Sequence, residues 1–85
     1  MKIARTARFK KAWEKLNEEE KELARKALRN LVTDMRYPAL RVKKMQGVEH
    51  IWEARASRSL RITFHVRGDI IILRNIGQHD ALERP

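Results

Sequence analysis

The stretch Leu60-Arg61-Ile62-Thr63-Phe64-His65-Val66-Arg67-Gly68-Asp69-Ile70-Ile71-Ile72-Leu73 decides the fold. In its first eight residues an apolar side chain occupies every even position, which is the period of a half-buried β-strand. Gly68-Asp69 predicts a tight turn. The continuous apolar run 70–73 then predicts a central strand covered on both faces. The sequence therefore predicts an antiparallel hairpin here.

Two shorter runs with strand character precede this hairpin. Residues 40–43 alternate between apolar and basic side chains and end before Gly47, and residues 51–55 form a second short run. A short segment around Ile3 is a further candidate strand. Together these runs predict an antiparallel meander.

The chain between Ile3 and Pro38 has helical periodicity instead. Thr6 is positioned to cap a first helix, and Asn17 followed by Glu20 is a capping-box pattern for a second. Pro38 is expected to end that helix. The apolar stripes are Phe9, Ala12, Trp13 and Leu16 in the first helix, and Leu23, Ala24, Ala27, Leu28, Leu31 and Met35 in the second. The predicted fold is α+β, in the order βααβββ, with an antiparallel sheet and an N-terminal helical hairpin packed on one face. Residues 1–85 form a single domain.

Composition narrows the class of protein. The 85 residues include 20 Lys and Arg against 11 Asp and Glu, a net charge of +9, and no cysteine. Disulfide frameworks and thiolate metal sites are therefore excluded. The sequence contains neither an apolar run of membrane-spanning length nor a signal-peptide core, so we expect a cytoplasmic protein without membrane contact. The excess charge favours a nucleic-acid partner, with an acidic protein partner and simple solubility as alternatives.

The strand period predicts where this charge lies. If the even residues of 60–66 face the helices, then Arg61, Thr63, His65 and Arg67 face the other way. Arg41 and Lys43 alternate outward in the same sense. The uncovered face of the sheet is therefore expected to be a cationic platform.

Few residues form a recognisable cofactor-binding, metal-binding or catalytic pattern. No phosphate-binding glycine loop is present, and His50, His65 and His79 lack metal-ligand spacing, so neither a cofactor nor a metal site is expected. Arg55 and Arg61, on neighbouring predicted strands, could brace one phosphate, or could instead pair with Glu53. His79 follows a strand that Gly77 is expected to break.

His79 is a candidate for proton transfer, and the alternative is a surface histidine in a loose tail. The remaining candidates are basic residues that either position phosphates or are simply solvated: Arg41, Lys43, Lys44, Arg58 and Arg74.

The ordered set of motifs resembles the RelE/ParE superfamily of toxin–antitoxin toxins. The matching motifs are Pro38-x-Leu40, Lys43-Lys44-Met45-x-Gly47, Trp52-Glu53-x-Arg55, Leu60-Arg61-Ile62-x-Phe64 and Ile76-Gly77-x-His79-Asp80. The resemblance covers essentially the whole chain and implies the predicted fold. It also implies a toxin that cleaves messenger RNA on the ribosome without a metal, and a cognate antitoxin that covers its basic surface.

The resemblance also implies roles for individual residues. Arg61 matches the strand arginine that braces the scissile phosphate, and Arg55 matches a basic residue of YoeB-like members. His79 matches a C-terminal histidine of YoeB-like and YafQ-like members that transfers a proton. Arg74 lies one residue out of register with a last-strand arginine of YafQ-like members, and Lys43 and Lys44 fall in the basic segment near the RNA.

Three departures from the family pattern keep other functions open, and one is that Trp52 and Ala54 replace the lysine pair of RelE-like members. Asp80 stands where some members have an aromatic residue, and Pro38-Ala39 replaces the glutamate base of YoeB-like members. One alternative is a ParE-like toxin that binds a protein target such as DNA gyrase. The other is an RNA-binding module without catalytic activity.

Overall fold

The described part of the chain folds into a five-stranded sheet with two α-helices. A computed structural model describes residues 1–47 and 49–78. In chain order the elements are β1 (Lys2–Arg5), α1 (Ala7–Glu14), α2 (Glu18–Thr33), one turn of 3-10 helix (Pro38–Leu40), β2 (Lys43–Lys44), β3 (Trp52–Arg55), β4 (Leu60–Arg67) and β5 (Ile70–Gln78). The α+β class and the N-terminal helical hairpin are confirmed.

The strands lie in the order β1-β5-β4-β3-β2. From β2 to β5 each strand is antiparallel to the next, as predicted. The candidate strand around Ile3 exists and pairs with β5, but in parallel, with Ile3 opposite Ile71. The sheet is therefore mixed rather than wholly antiparallel. Parallel neighbours need a long connection, and the two helices with the meander supply it.

Side-chain caps begin both helices where the sequence predicts. Thr6 Oγ1 accepts from the Phe9 N–H at 3.1 Å, and Asn17 and Glu20 form a reciprocal capping box at 2.8 and 2.9 Å. The expected end of α2 at Pro38 is wrong. Asp34 is already extended, and its carboxylate accepts from the Arg36 N–H at 2.9 Å. This local bond competes with helix continuation, so α2 ends at Thr33.

The core lies between the helices and one face of the sheet. Its fully buried members include Phe9 of α1, Leu31 of α2 and Phe64 of β4. Leu23, predicted in the buried stripe, is 37% exposed, because the small side chains of Ala24 and Ala27 form the buried side of α2.

Two expectations about strand bounds are wrong. In the predicted strand 40–43, Leu40 ends the 3-10 turn and Arg41 has a left-handed backbone with φ 44°, so only Lys43 and Lys44 form β2. Gly77 does not break the last strand, because it pairs with Arg61 and β5 continues to Gln78.

The face of β5 opposite the core is only partly covered, whereas the sequence predicts complete cover. Ile71 and Leu73 are fully buried, but Ile70 and Ile72 are half-buried. Ile72 is opposite His65 of β4, a polar residue of the uncovered face. One side of this apolar run therefore belongs to the core, and the other side belongs to the uncovered face of the sheet.

Candidate functional site

Two arginines meet at the edge where β3 ends and β4 begins. Arg55 and Arg61 are direct register partners across these antiparallel strands. Facing residues of such a pair have Cβ atoms about 4.5–5.5 Å apart, and like charges in this arrangement are destabilising. The backbone that connects the two strands resolves this conflict.

The turn between the strands holds both guanidinium groups through two carbonyl oxygens. The Ser57 carbonyl accepts from Arg55 Nε at 3.2 Å and from Arg61 Nη1 at 2.8 Å. The Arg58 carbonyl accepts from Arg55 Nη2 at 3.4 Å and from Arg61 Nη1 at 3.1 Å. Among the described residues, none accepts a hydrogen bond from Arg61 Nη2 or Arg55 Nη1. Each arginine is therefore fixed on one side and retains donors on the other.

Glu53 provides the negative charge at this site. Its Oε1 lies 3.3 Å from Arg61 Nε, and the two side chains are only 8% and 13% exposed, respectively. Glu53 is opposite Thr63 on β4, and Thr63 is fully buried on the same face. The sequence alternative in which Arg61 pairs with Glu53 is thus observed, and it coexists with the unused donors of Arg61.

A cleft of about 280 Å³ opens at this point and is lined by Arg41, Lys43, Glu53, Arg55 and Arg61. Arg41 and Arg55 also line an adjoining depression of about 530 Å³ together with Arg58. Five cations and one carboxylate therefore surround a concave surface. Such a surface concentrates positive potential and attracts an anionic group of a polymer.

The backbone of Arg41 contributes to this arrangement. Its left-handed conformation, with φ 44° and ψ 48°, is disfavoured for a residue with a Cβ and costs about 1–2 kcal/mol. Strained residues of this kind cluster at functional sites. The conformation follows the 3-10 turn and directs the chain into β2.

The cluster also affects the protonation equilibrium of Arg55. Desolvation, followed by the positive charges of Arg41, Arg61 and Arg58, lowers the pKa of Arg55 below its ordinary value. A guanidinium remains charged at neutral pH in spite of this shift. The neighbouring positive charges would be relieved by an anion bound between them.

The other predicted basic residues are divided between the faces of the sheet. Lys44 is opposite Trp52, which packs against the core, so Lys44 is not brought to the cleft. Arg74 lies on the uncovered face but contacts His65. His65 is four residues along β4 from Arg61, or about 13 Å. Arg74 is therefore not part of the Arg55–Arg61 cluster.

The comparisons with known proteins identify the fold. No protein-family model matches the chain, and no curated protein matches its sequence. Solved structures do match. YafQ from E. coli strain BL21(DE3) aligns with a TM-score of 0.82 at 13% identity, covering 96% of this chain and 97% of that one. The YoeB/ParE toxin from Agrobacterium tumefaciens aligns at 0.77 and 16% identity, covering 93% and 99%. The RelB–RelE antitoxin–toxin complex from Methanococcus jannaschii contains a chain that aligns at 0.75 and 18% identity, covering 96% and 94%. This chain has the RelE/ParE toxin fold.

Within the RelE/ParE toxin fold, the cleft lies on the sheet face opposite the helices. Its cations belong to β2, β3, β4 and the turn that joins β3 to β4, together with Arg41 between the 3-10 turn and β2. His79, the predicted proton-transfer residue, lies outside the described residues. Gln78, the residue before it, is opposite Leu60 at the start of β4, next to Arg61.

Two further kinds of feature, metal-ligand groups and membrane-spanning helices, can be examined in the described part of the chain. Across residues 1–47 and 49–78, no three His, Cys, Asp or Glu side chains are grouped so as to hold a metal ion. Within the same residues, neither helix has the length and apolar character required to cross a membrane.

The backbone acceptors of the site are not predicted by the sequence. The Ser57 and Arg58 carbonyls that hold the arginines belong to peptide groups, which side-chain patterns do not reveal. The run Ala56-Ser57-Arg58-Ser59 did carry a turn signal, and Ser57 Oγ accepts from the Leu60 N–H at 3.1 Å.

Proposed function

We propose that this chain is the toxin of a type II toxin–antitoxin pair, an endoribonuclease that cleaves messenger RNA on the ribosome and inhibits translation. The observation that carries the proposal is the convergence of Arg55 and Arg61 on the Ser57 and Arg58 carbonyls beside a cationic cleft. The RelE/ParE toxin fold supports the same function. The cleft has the size and charge to receive one phosphate of an RNA strand.

The reaction is an attack within the RNA itself. The ribose 2′-oxygen bonds to the adjacent phosphorus and loses its proton, while the bond from phosphorus to the 5′-oxygen breaks and that oxygen gains a proton. The products are a 2′,3′-cyclic phosphate and a 5′-hydroxyl. DNA lacks the 2′-hydroxyl, which restricts this chemistry to RNA.

The two arginines stabilise the transition state. The phosphoryl oxygens gain negative charge as the 2′-oxygen attacks, and the remaining N–H groups of Arg61 and Arg55 donate hydrogen bonds to those oxygens. Because the Ser57 carbonyl and Glu53 already fix Arg61, little reorganisation accompanies the reaction. Loss of one such donor group typically reduces the rate about 10²–10³-fold.

His79 transfers a proton in this proposal. It follows Gln78, which is opposite Leu60 beside the arginine pair. An imidazole exchanges protons near neutral pH, and such a group typically contributes about 10²–10⁴-fold to the rate. Glu53 is not assigned this role, because its carboxylate is bound to Arg61.

The ribosome and an antitoxin are the proposed partners. The positive charge outside the cleft favours docking on ribosomal RNA, which holds the message in a fixed geometry and thereby aids a small site. Such a target also places the chain in the cytoplasm. A cognate acidic antitoxin that covers the cleft would block access to RNA.

The proposal is tested by inducing the chain in cells, with and without the antitoxin, and mapping messenger RNA 5′ ends. We expect growth arrest with new 5′ ends, abolished by Arg61→Ala and His79→Ala and retained by Arg36→Ala. Arg36 lines neither depression, so it is a matched control. Arrest with DNA damage and intact messages would instead favour a ParE-like activity. Absence of arrest from folded protein would favour an RNA-binding module without catalysis.

A further inference from the structure

An irregularity in β5 changes which residues face the uncovered side of the sheet. Thr63 and Phe64 are consecutive on β4, yet they are opposite Asn75 and Leu73, which leaves Arg74 as an extra residue. Such a β-bulge interrupts the alternation of a strand. Leu73 and Ile76 are both buried in the core, three positions apart. Arg74 and Asn75 therefore both lie outside the core between two core residues, and Arg74 contacts His65 on the uncovered face.

The bulge is held in place by the residue that caps α1. Thr6 Oγ1 donates to the Leu73 carbonyl at 2.9 Å and to the Arg74 carbonyl at 3.2 Å, and Thr6 also caps α1 by accepting from Phe9. The Thr6 backbone N–H adds a further bond to Leu73. The position of Arg74 is thus built into the junction of β1 and α1.

The guanidinium of Arg74 is incompletely bonded in this position. Its Nη1 lies 3.1 Å from His65 Nδ1, whereas its Nε is buried and finds no hydrogen-bond partner within residues 1–47 and 49–78. A buried donor without a partner carries a free-energy cost, because the water that would satisfy it in the unfolded chain is lost. A conformation in which Arg74 turns outward and donates Nε to an anion would recover that cost.

The charges around Arg74 specify the kind of ligand. Desolvation, then the charges of Arg74 and Arg67, lower the pKa of His65, so its imidazole is neutral near pH 7 and accepts from Arg74. Two guanidinium groups therefore flank a neutral acceptor. An arginine fork matches two oxygens of a phosphate, which makes a phosphate the suitable ligand.

We propose that Arg74 and His65 form a second RNA phosphate subsite on the same face as the Arg55–Arg61 cleft. His65 and Arg61 are about 13 Å apart along β4, so one phosphate cannot contact both positions. The second subsite therefore binds a different phosphate of the same strand and fixes the direction of the RNA across the sheet. This inference rests on the proposed function and adds the path of the substrate.

The test measures binding of uncleavable 2′-O-methyl oligonucleotides, from dinucleotide to octanucleotide, by the purified full chain. We expect Arg74→Gln to leave dinucleotide affinity unchanged and to weaken octanucleotide binding about tenfold, the loss of about 1.4 kcal/mol. The salt dependence of octanucleotide binding should fall by about 0.7 in slope, the value for one phosphate of a single strand. Arg74→Lys should recover the salt slope and only part of the affinity, because it retains the charge without the fork.

The control separates this inference from the proposed function. Arg61→Gln should weaken binding at every length, and a cooperative thermal transition above the assay temperature establishes that each variant is folded. One outcome is that Arg61→Gln lowers the affinity for every oligonucleotide, while Arg74→Gln binds each of them as tightly as wild type does. That outcome overturns the second subsite and leaves the proposed function standing. If neither variant changes any affinity, both are overturned.

Discussion

Glu53 lies 3.3 Å from Arg61 in a cleft whose other lining residues are cations. A carboxylate here holds the guanidinium through Nε, while the carbonyls of Ser57, Arg58 and Leu60 hold Nη1. It also lowers the positive charge available to an anion. Glu53 is therefore expected to stabilise the fold and to weaken the binding of an anion.

Replacing Glu53 with glutamine is expected to separate these demands. The variant keeps the shape but removes the negative charge, so folding should lose about 1–3 kcal/mol because the buried Arg61 guanidinium loses its charged acceptor. Oligonucleotide binding should become about tenfold tighter, or about 1.4 kcal/mol. Urea unfolding and fluorescence anisotropy measure the two effects.

Glu49→Gln is the matched control for that variant. It removes the same charge from a side chain that is 92% exposed and does not line the cleft. It should change neither stability nor affinity by more than a small amount. Weaker RNA binding by Glu53→Gln would contradict the view that Glu53 opposes the anion.

Replacing Arg41 with glycine should stabilise the fold and weaken RNA binding. Arg41→Gly relieves about 1–2 kcal/mol of left-handed strain and adds about 0.5–1 kcal/mol of unfolded-chain entropy. We therefore expect a net gain of about 0.5–1 kcal/mol in the free energy of unfolding, together with weaker RNA binding. Arg41→Lys keeps both the strain and the charge, so it should leave stability near that of wild type. A destabilised Arg41→Gly would show that the conformation is not strained.

The free energy of unfolding should depend on pH through the protonation of His65. Its pKa is lower in the folded protein than in the unfolded chain, whose histidines titrate near about 6.5, so the unfolded chain binds the proton more readily. The contribution of neutral His65 is complete above about pH 6.5 and is lost as the pH falls below it. His65→Gln should flatten the dependence between about pH 7 and pH 5, measured by urea unfolding. Identical slopes for both proteins would contradict this assignment.

The sequence predicts those parts of the fold that local side chains determine. Capping by Thr6 and Asn17 is visible in the sequence because short polar side chains bond to nearby backbone. The strand 60–67 is visible because alternation follows directly from a half-buried sheet. Asp34 was missed as the end of α2, because Pro38 was the stronger signal and the carboxylate bond to Arg36 is equally local.

Features of the site that depend on distant backbone were not predictable in the same way. The sequence indicates Arg55 and Arg61 as candidates, but their shared carbonyl acceptors follow from the path of the turn. Arg74 reaches the uncovered face at a β-bulge in β5, and a bulge depends on the pairing of two strands rather than on a local side-chain pattern. Parallel pairing of β1 likewise depends on the whole chain, because its partner is about 70 residues away.

The most direct test of the central claim is the cleavage rate of ribosome-bound messenger RNA by Arg61→Lys. Lysine keeps the charge but cannot bond at once to the turn, Glu53 and a phosphate, so we predict a rate reduced about 10²–10³-fold. Arg36→Lys, an exposed substitution outside the cleft, should cleave at the wild-type rate. Cleavage by folded Arg61→Lys at the wild-type rate would contradict the assignment of this cleft as the catalytic site.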